Sequence, residues 1–152
     1  MNVFGMRRSR LHLITECIEN ELEYKYINNF GGSPKNNNGE EGDLIYEKVL
    51  SEYSKIKNRG NTIILFEDKF YNFNEDILNI IVIRDFYDLL ISRIKCITDN
   101  KTFANIDGQF FITYKKILRE ILNKDNNIKN KLIIDSDKFI SEEIYRENIL
   151  NQ

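Results

Sequence analysis

The chain has 152 residues, of which 41% are hydrophobic and 30% charged, and a formal net charge of −2. That suits one globular domain able to bury a core. It argues against a general nucleic-acid or membrane-surface binder, which needs a broad positive field, and no apolar run reaches the ~18–20 residues of a membrane span.

The opening residues lack the apolar core of a signal peptide. Cys17 and Cys96 fall in apolar helical patterns that suit a reducing interior, so the expected location is cytoplasmic. His12 is the only histidine and no close cysteine pair exists, so no metal site is expected.

In chain order, Val3 and Phe4 form an apolar run that meets Gly5. Arg7, Arg8 and Arg10 follow, and an amphipathic segment begins at once with Leu11, Leu13, Ile14, Cys17, Ile18 and Leu22. Strand, tight basic loop and helix in that order make an anion site: the loop N–H groups and the positive end of the helix dipole point to one place. The apolar spacing predicts a helix from Arg10 to about Asn20, and Glu23 to Ile27 alternates as a second strand. Phe30 to Gly42 holds four of the seven glycines and the only proline. It reads as a long flexible loop, either substrate-facing or a tolerated insertion.

Asp43 is placed to cap a helix carrying Leu44, Ile45, Val49, Leu50 and Tyr53 and ending near Gly60. Thr62 to Phe66 and Ile77 to Ile83 are continuous β-branched runs, expected of strands covered on both faces. From Asp85 a helix is predicted with Leu89, Leu90, Ile94 and Ile97 on one side. A longer one is predicted from about Asp107 to Asn123, carrying Phe110, Phe111, Tyr114, Ile117, Leu118, Ile121 and Leu122, with its tyrosine and phenylalanines as core packing. Lys131 to Asp135 reads as the last strand and Ser141 to Leu150 as the last helix. Buried strands separated by helices predict an α/β fold over residues 1–152, a parallel sheet of about five short strands with helices on both faces. Ligands of such sheets bind beyond the carboxyl ends of the strands, where Gly5–Ser9, Glu67-Asp68 and Arg84-Asp85 would share one rim.

The loop is not a nucleoside-triphosphate loop: counted from Gly5, Arg10, Leu11 and His12 stand where Gly-Lys-Ser/Thr belongs. It is not a dinucleotide loop either, because Arg7 and Arg10 replace the second and third glycines of that motif. It lacks the magnesium-binding hydroxyl and is richer in guanidinium, whose forks suit phosphate and sulfate oxygens without a metal.

Gly5-Met-Arg-Arg-Ser-Arg-Leu-His12 resembles the phosphosulfate loop of the P-loop sulfotransferases, in particular the subset reading Gly-Met-Arg-Arg-Ser-Gly-x-His. Arg84-Asp-Phe-Tyr-Asp-Leu-Leu-Ile-Ser-Arg93 resembles that family's second hallmark, a strand ending in Arg-Asp-Pro with a serine eight residues after the arginine. Weaker echoes follow at Phe66-Glu67-Asp68 and at Ile133-Ile-Asp-Ser-Asp-Lys-Phe139 leading to Tyr145-Arg146, so the resemblance spans most of the chain. It implies a single three-layer P-loop-type domain that transfers a sulfuryl group from 3′-phosphoadenosine 5′-phosphosulfate to a hydroxyl or amine. The acceptor, a carbohydrate or small molecule, stays unnamed, and neither nucleic acid nor membrane is implied as a partner.

By the same resemblance the loop residues Gly5, Met6, Arg7, Arg8, Ser9, Arg10, Leu11 and His12 bind the donor. Arg8 acts against the leaving phosphate, Ser9 holds the 5′-phosphate, and Arg84 with Ser92 reads the 3′-phosphate. Helical spacing puts Ser92 within about 80° of the direction of Arg84. Glu67 is the candidate base, with His12 the alternative by its ordinary pKa.

Three departures stand out. Arg10 replaces the subset's glycine, which would allow positive φ or a close approach, and so either adds a contact to the donor or fills its place. Phe86 replaces the proline. The sequence stops at Gln152, where relatives continue into a segment that closes over the nucleotide; a minimal form, a truncated one and a relative without turnover all fit. The competing class of function is therefore a non-catalytic remnant that binds an anionic nucleotide or a protein through the same fold.

Overall fold

The computed structural model describes residues 1–22, 24–27, 51, 53–55, 62–67, 77–99, 106–122, 124 and 128–151. The loop expected at 30–42, most of the helix expected from Asp43, and Asp68 lie outside the described residues. The apolar runs become strands β1 (Asn2–Gly5), β2 (Lys25–Ile27), β3 (Thr62–Glu67), β4 (Asn79–Ile83) and β5 (Lys131–Asp135). The helices are α1 (Leu11–Leu22), α2 (Phe86–Thr98), α3 (Gly108–Ile121), α4 (Ser136–Ser141) and α5 (Glu143–Leu150).

All strand pairings are parallel, in the order β2-β3-β1-β4-β5. The fold is therefore α/β with an all-parallel sheet, as the pattern of buried runs predicts. Successive residues of a strand face opposite ways, and the core divides accordingly. Phe4, Ile64, Phe66 and Ile81 pack with Leu89 of α2 and with Phe110 and Ile117 of α3. Val3, Ile63, Leu65, Ile80 and Val82 pack with Leu11, Ile14 and Ile18 of α1 and with Phe139 of α4. Burying such side chains is worth roughly 1.5–3 kcal/mol each, which is why an uninterrupted apolar run belongs in a strand covered twice.

Four local expectations are corrected. β4 begins at Asn79 rather than Ile77, because Asn79 takes the register position opposite Asn2 and turns its amide to Ile77 O and Lys129 O. On α2 the buried face is Leu89, Arg93 and Cys96, whereas Ile94 and Ile97 are exposed. A count of apolar residues misses this because Arg93 buries its stem and sets its guanidinium 4.6 Å from the centroid of the Phe110 ring. On α3, Phe110 and Ile117 are core, whereas Phe111 and Leu122 are exposed, the buried stripe being completed by Thr113 and Glu120.

The last correction concerns the chain after β5. Helix starts there at once, since the Asp135 carboxylate accepts from Asp137 N and Lys138 N. It breaks at Glu142, whose backbone is extended, and resumes as α5. Asp85 and Asp107 cap α2 and α3 in the same way. Phe86, in the place of the expected proline, packs against Phe110 and Tyr114 instead. Cys17 and Cys96 form no disulfide. Among the described residues, no helix is long and apolar enough to cross a membrane.

Candidate functional site: a basic cleft at the carboxyl edge

The register aligns the strand ends. Gly5 lies opposite Glu67 on one side and Val82 on the other, and Ile83 lies opposite Asp135. After β1 the chain leaves to α1 on one face, and after the adjacent β4 to α2 on the other. Neighbouring strands whose connections part this way open a crevice, the usual ligand position in such sheets.

The loop at that crevice is tightly wound. Space favours glycine at Gly5: a Cβ there would collide with Leu11 Cδ1, which would have to shift, and stand 3.1 Å from Val82 O and from Ser9 Oγ. Arg8 and Arg10 have φ of 72° and 65°, whereas Arg7 and Ser9 between and before them do not take positive φ. Alternation of this kind is the backbone pattern from which anion-binding nests are built. Left-handed backbone costs a non-glycine residue roughly 1–2 kcal/mol, so the loop stores strain where function would use it. Arg10 thus adopts the backbone that the expected glycine would allow. Ser9 N–H closes the turn on Met6 O, and the first helical bond of α1 runs from Ile14 N–H to Arg10 O. The first turn of α1 therefore presents N–H groups without intrahelical acceptors.

The side chains divide into three groups. Arg8 Nε donates to Ser92 Oγ at 3.2 Å, while Arg84 Nη1 donates to the carbonyl of Arg8 at 2.9 Å. Glu67, mostly buried at the end of β3, holds His12 Nε2 at 2.9 Å and Arg7 Nε at 3.4 Å. Arg10 Nη1 lies 2.7 Å from Asp137 Oδ1, and Arg84 Nε lies 3.7 Å from that same oxygen. Around them is a cleft of about 660 Å³ lined by Arg7, Arg8, Arg10, Leu11, His12, Glu67, Arg84 and Ser92.

The other residues expected at the site sit beneath it. Met6 is core and offers its carbonyl to the turn, and Gly5 is buried at the strand end. Ser9 is 1% exposed, and its Oγ has no hydrogen-bond partner among the described residues. A buried hydroxyl left orphan at the base of a nest calls for an explanation, and an absent ligand oxygen is one.

Reading the sequence missed Asp137 as a partner of two arginines, although it stands in the quoted run Ile133–Phe139. Its only signal was its place just after a strand on the same rim. Arg93, beside Ser92, turns instead into the core. A second cleft lies on the far side of Arg84, lined among others by Asp85, Tyr114, Asp135 and Asp137. The Tyr114 phenol there is held above its usual pKa by burial first and by the Asp85 charge second. Among the described residues, no group of three or more His, Cys, Asp or Glu side chains is arranged to hold a metal ion. No protein-family model matches the chain, and no curated protein or solved structure matches it significantly.

Proposed function

We propose that the cleft binds 3′-phosphoadenosine 5′-phosphosulfate and that the chain is a sulfotransferase of three-layer P-loop type, acting on a hydroxyl or amine. The observation that carries this reading is the joining of two distant motifs. Arg84 donates to the Arg8 carbonyl and Arg8 donates to Ser92, across sequence separations of 76 and 84 residues. A merely solvated basic terminus would have no reason to meet that arginine and that serine.

The residues fit a ligand with two anionic ends. The nest, the orphan Ser9 hydroxyl and Arg8 suit the 5′ end, and Arg84 with Ser92 suits the 3′-phosphate. The donor, when bound, supplies an activated sulfuryl group whose transfer develops charge on bridging and equatorial oxygens. Arg8 and the loop N–H groups are aimed to stabilise such charge without reorganising. The Glu67–His12 pair supplies the acid–base function. His12 Nε2 stands 2.9 Å from Glu67 Oε1, so the two groups can pass a proton between them. Glu67 is the proposed base, with its neighbour His12 as the alternative. A cytoplasmic location belongs to the same reading.

A thermal shift with adenosine 3′,5′-bisphosphate on the wild type and on Arg84→Ala tests it. Ligand at a hundredfold over its dissociation constant stabilises the fold by about 2.7 kcal/mol. A wild type that does not shift sinks the donor assignment. Equal shifts in both proteins sink only the role of Arg84. Bisphosphate binding without turnover over a panel of acceptors would favour the non-catalytic module.

A further inference from the structure

The Arg10–Asp137 contact is unexplained by the reading above, on which this inference rests. An aspartate from the first turn of α4 puts one oxygen between two arginines of the cleft, 2.7 Å from Arg10 Nη1 and 3.7 Å from Arg84 Nε. The first distance is a charge-assisted hydrogen bond and the second is too long to be one. Arg84 Nε is buried and has no hydrogen-bond partner among the described residues. Asp137 therefore satisfies one guanidinium and only offsets the charge of the other. A carboxylate with its two oxygens in one plane is a poor match for two forks from different elements. A tetrahedral oxyanion has more oxygens, directed in more than one plane, and can serve both.

We propose that Asp137 is a resident substitute for a phosphate of the ligand: it holds the Arg10–Arg84 subsite in the free protein and is displaced when that phosphate arrives. Arg10 then belongs to the ligand-bound site as a second fork on the same group as Arg84. The Asp137 side chain is about one-third exposed, so it can swing to solvent without stranding a buried charge. Displacement also breaks the side-chain tie between α4 and the loop, while Phe139 keeps α4 packed on the core.

The test is titration calorimetry of wild type, Asp137→Asn, Arg10→Ala and the double variant, with adenosine 3′,5′-bisphosphate and, separately, inorganic pyrophosphate. Removing a competing charge at contact distance near a surface should tighten bisphosphate binding by roughly tenfold at low salt. The gain should shrink as ionic strength rises and vanish in the Arg10→Ala background. If the wild type binds and Asp137→Asn binds equally or more weakly, Asp137 is a structural tether and the proposal fails while the donor reading stands. If neither protein binds either probe, both fail. Circular dichroism melts verify folding, and Asp137→Ser, which keeps a polar residue in the first turn, serves if Asn does not fold.

Discussion

The two edges of the sheet solve opposite problems with the same kinds of residue. At the amino edge the polar groups are closed upon one another. Asn2 donates to the Asn79 side chain, Tyr53 donates to Asn2, and Asn79 donates to the carbonyls of Ile77 and Lys129. Nearby, Lys131 reaches the buried Glu120 by its carbonyl and its carboxylate. At the carboxyl edge the polar groups are arranged but not closed: Ser9 Oγ and Arg84 Nε have no hydrogen-bond partner among the described residues, and two arginines hold strained backbone. A satisfied network stabilises a fold, whereas an unsatisfied one costs stability and calls for a reason.

The largest expected effect comes from breaking the closed edge. Glu120→Ala leaves Lys131 only the Glu120 carbonyl, removing its counter-charge, orphans the Ile128 N–H that donates to this carboxylate, and should cost about 3 kcal/mol in urea unfolding. A loss under about 1 kcal/mol would mean that the pair is not buried as described. Asn79→Ala should cost about 2 kcal/mol by the same measurement, since it orphans groups at the start of β1 and β4. Neither change should alter bisphosphate affinity; a tenfold drop would show that the two edges are coupled.

The open edge should answer with the opposite sign. Arg8→Gly removes a left-handed arginine and should raise stability by up to about 1 kcal/mol, while weakening bisphosphate binding. Matched melting and titration series check this, and a stability loss above about 1 kcal/mol would argue that the Ser92 contact, not the strain, dominates. Smallest of all is Ser9→Ala. The hydroxyl it deletes is buried without a partner, so stability should stay within about 0.5 kcal/mol or improve, whereas affinity falls. A clear destabilisation would instead identify a structural role for Oγ.

Legibility in the sequence followed the range of the interaction. Val3, Phe4, Ile63 to Phe66 and Ile80 to Val82 announced buried strands because a run covered on both faces has no need of polar residues. Asp85 and Asp107 could be read as helix starts because capping, which they perform, is a matter of two or three residues. The burial of Arg93 could not, since it depends on the Phe110 ring brought from another helix. Nor could the exposure of Ile94, Ile97, Phe111 and Leu122, because a helix's periodicity names a stripe but not which neighbour rotates it.

For the site, residue type and spacing carried the expectation of an anionic ligand: an arginine-rich turn between strand and helix, without the lysine and hydroxyl of a triphosphate loop, suits an anion held by forks. The tertiary structure decided which forks act together. It set Arg84 on the carbonyl of Arg8, seated Ser92 under Arg8, paired His12 with Glu67, and gave Arg10 a left-handed backbone and Asp137 for a partner. The physical reason is that type and spacing travel with the chain, whereas convergence is made by strand register. Gly5, Glu67, Val82 and Asp135 reach one edge because the sheet aligns them, and spacing along the sequence does not specify that alignment.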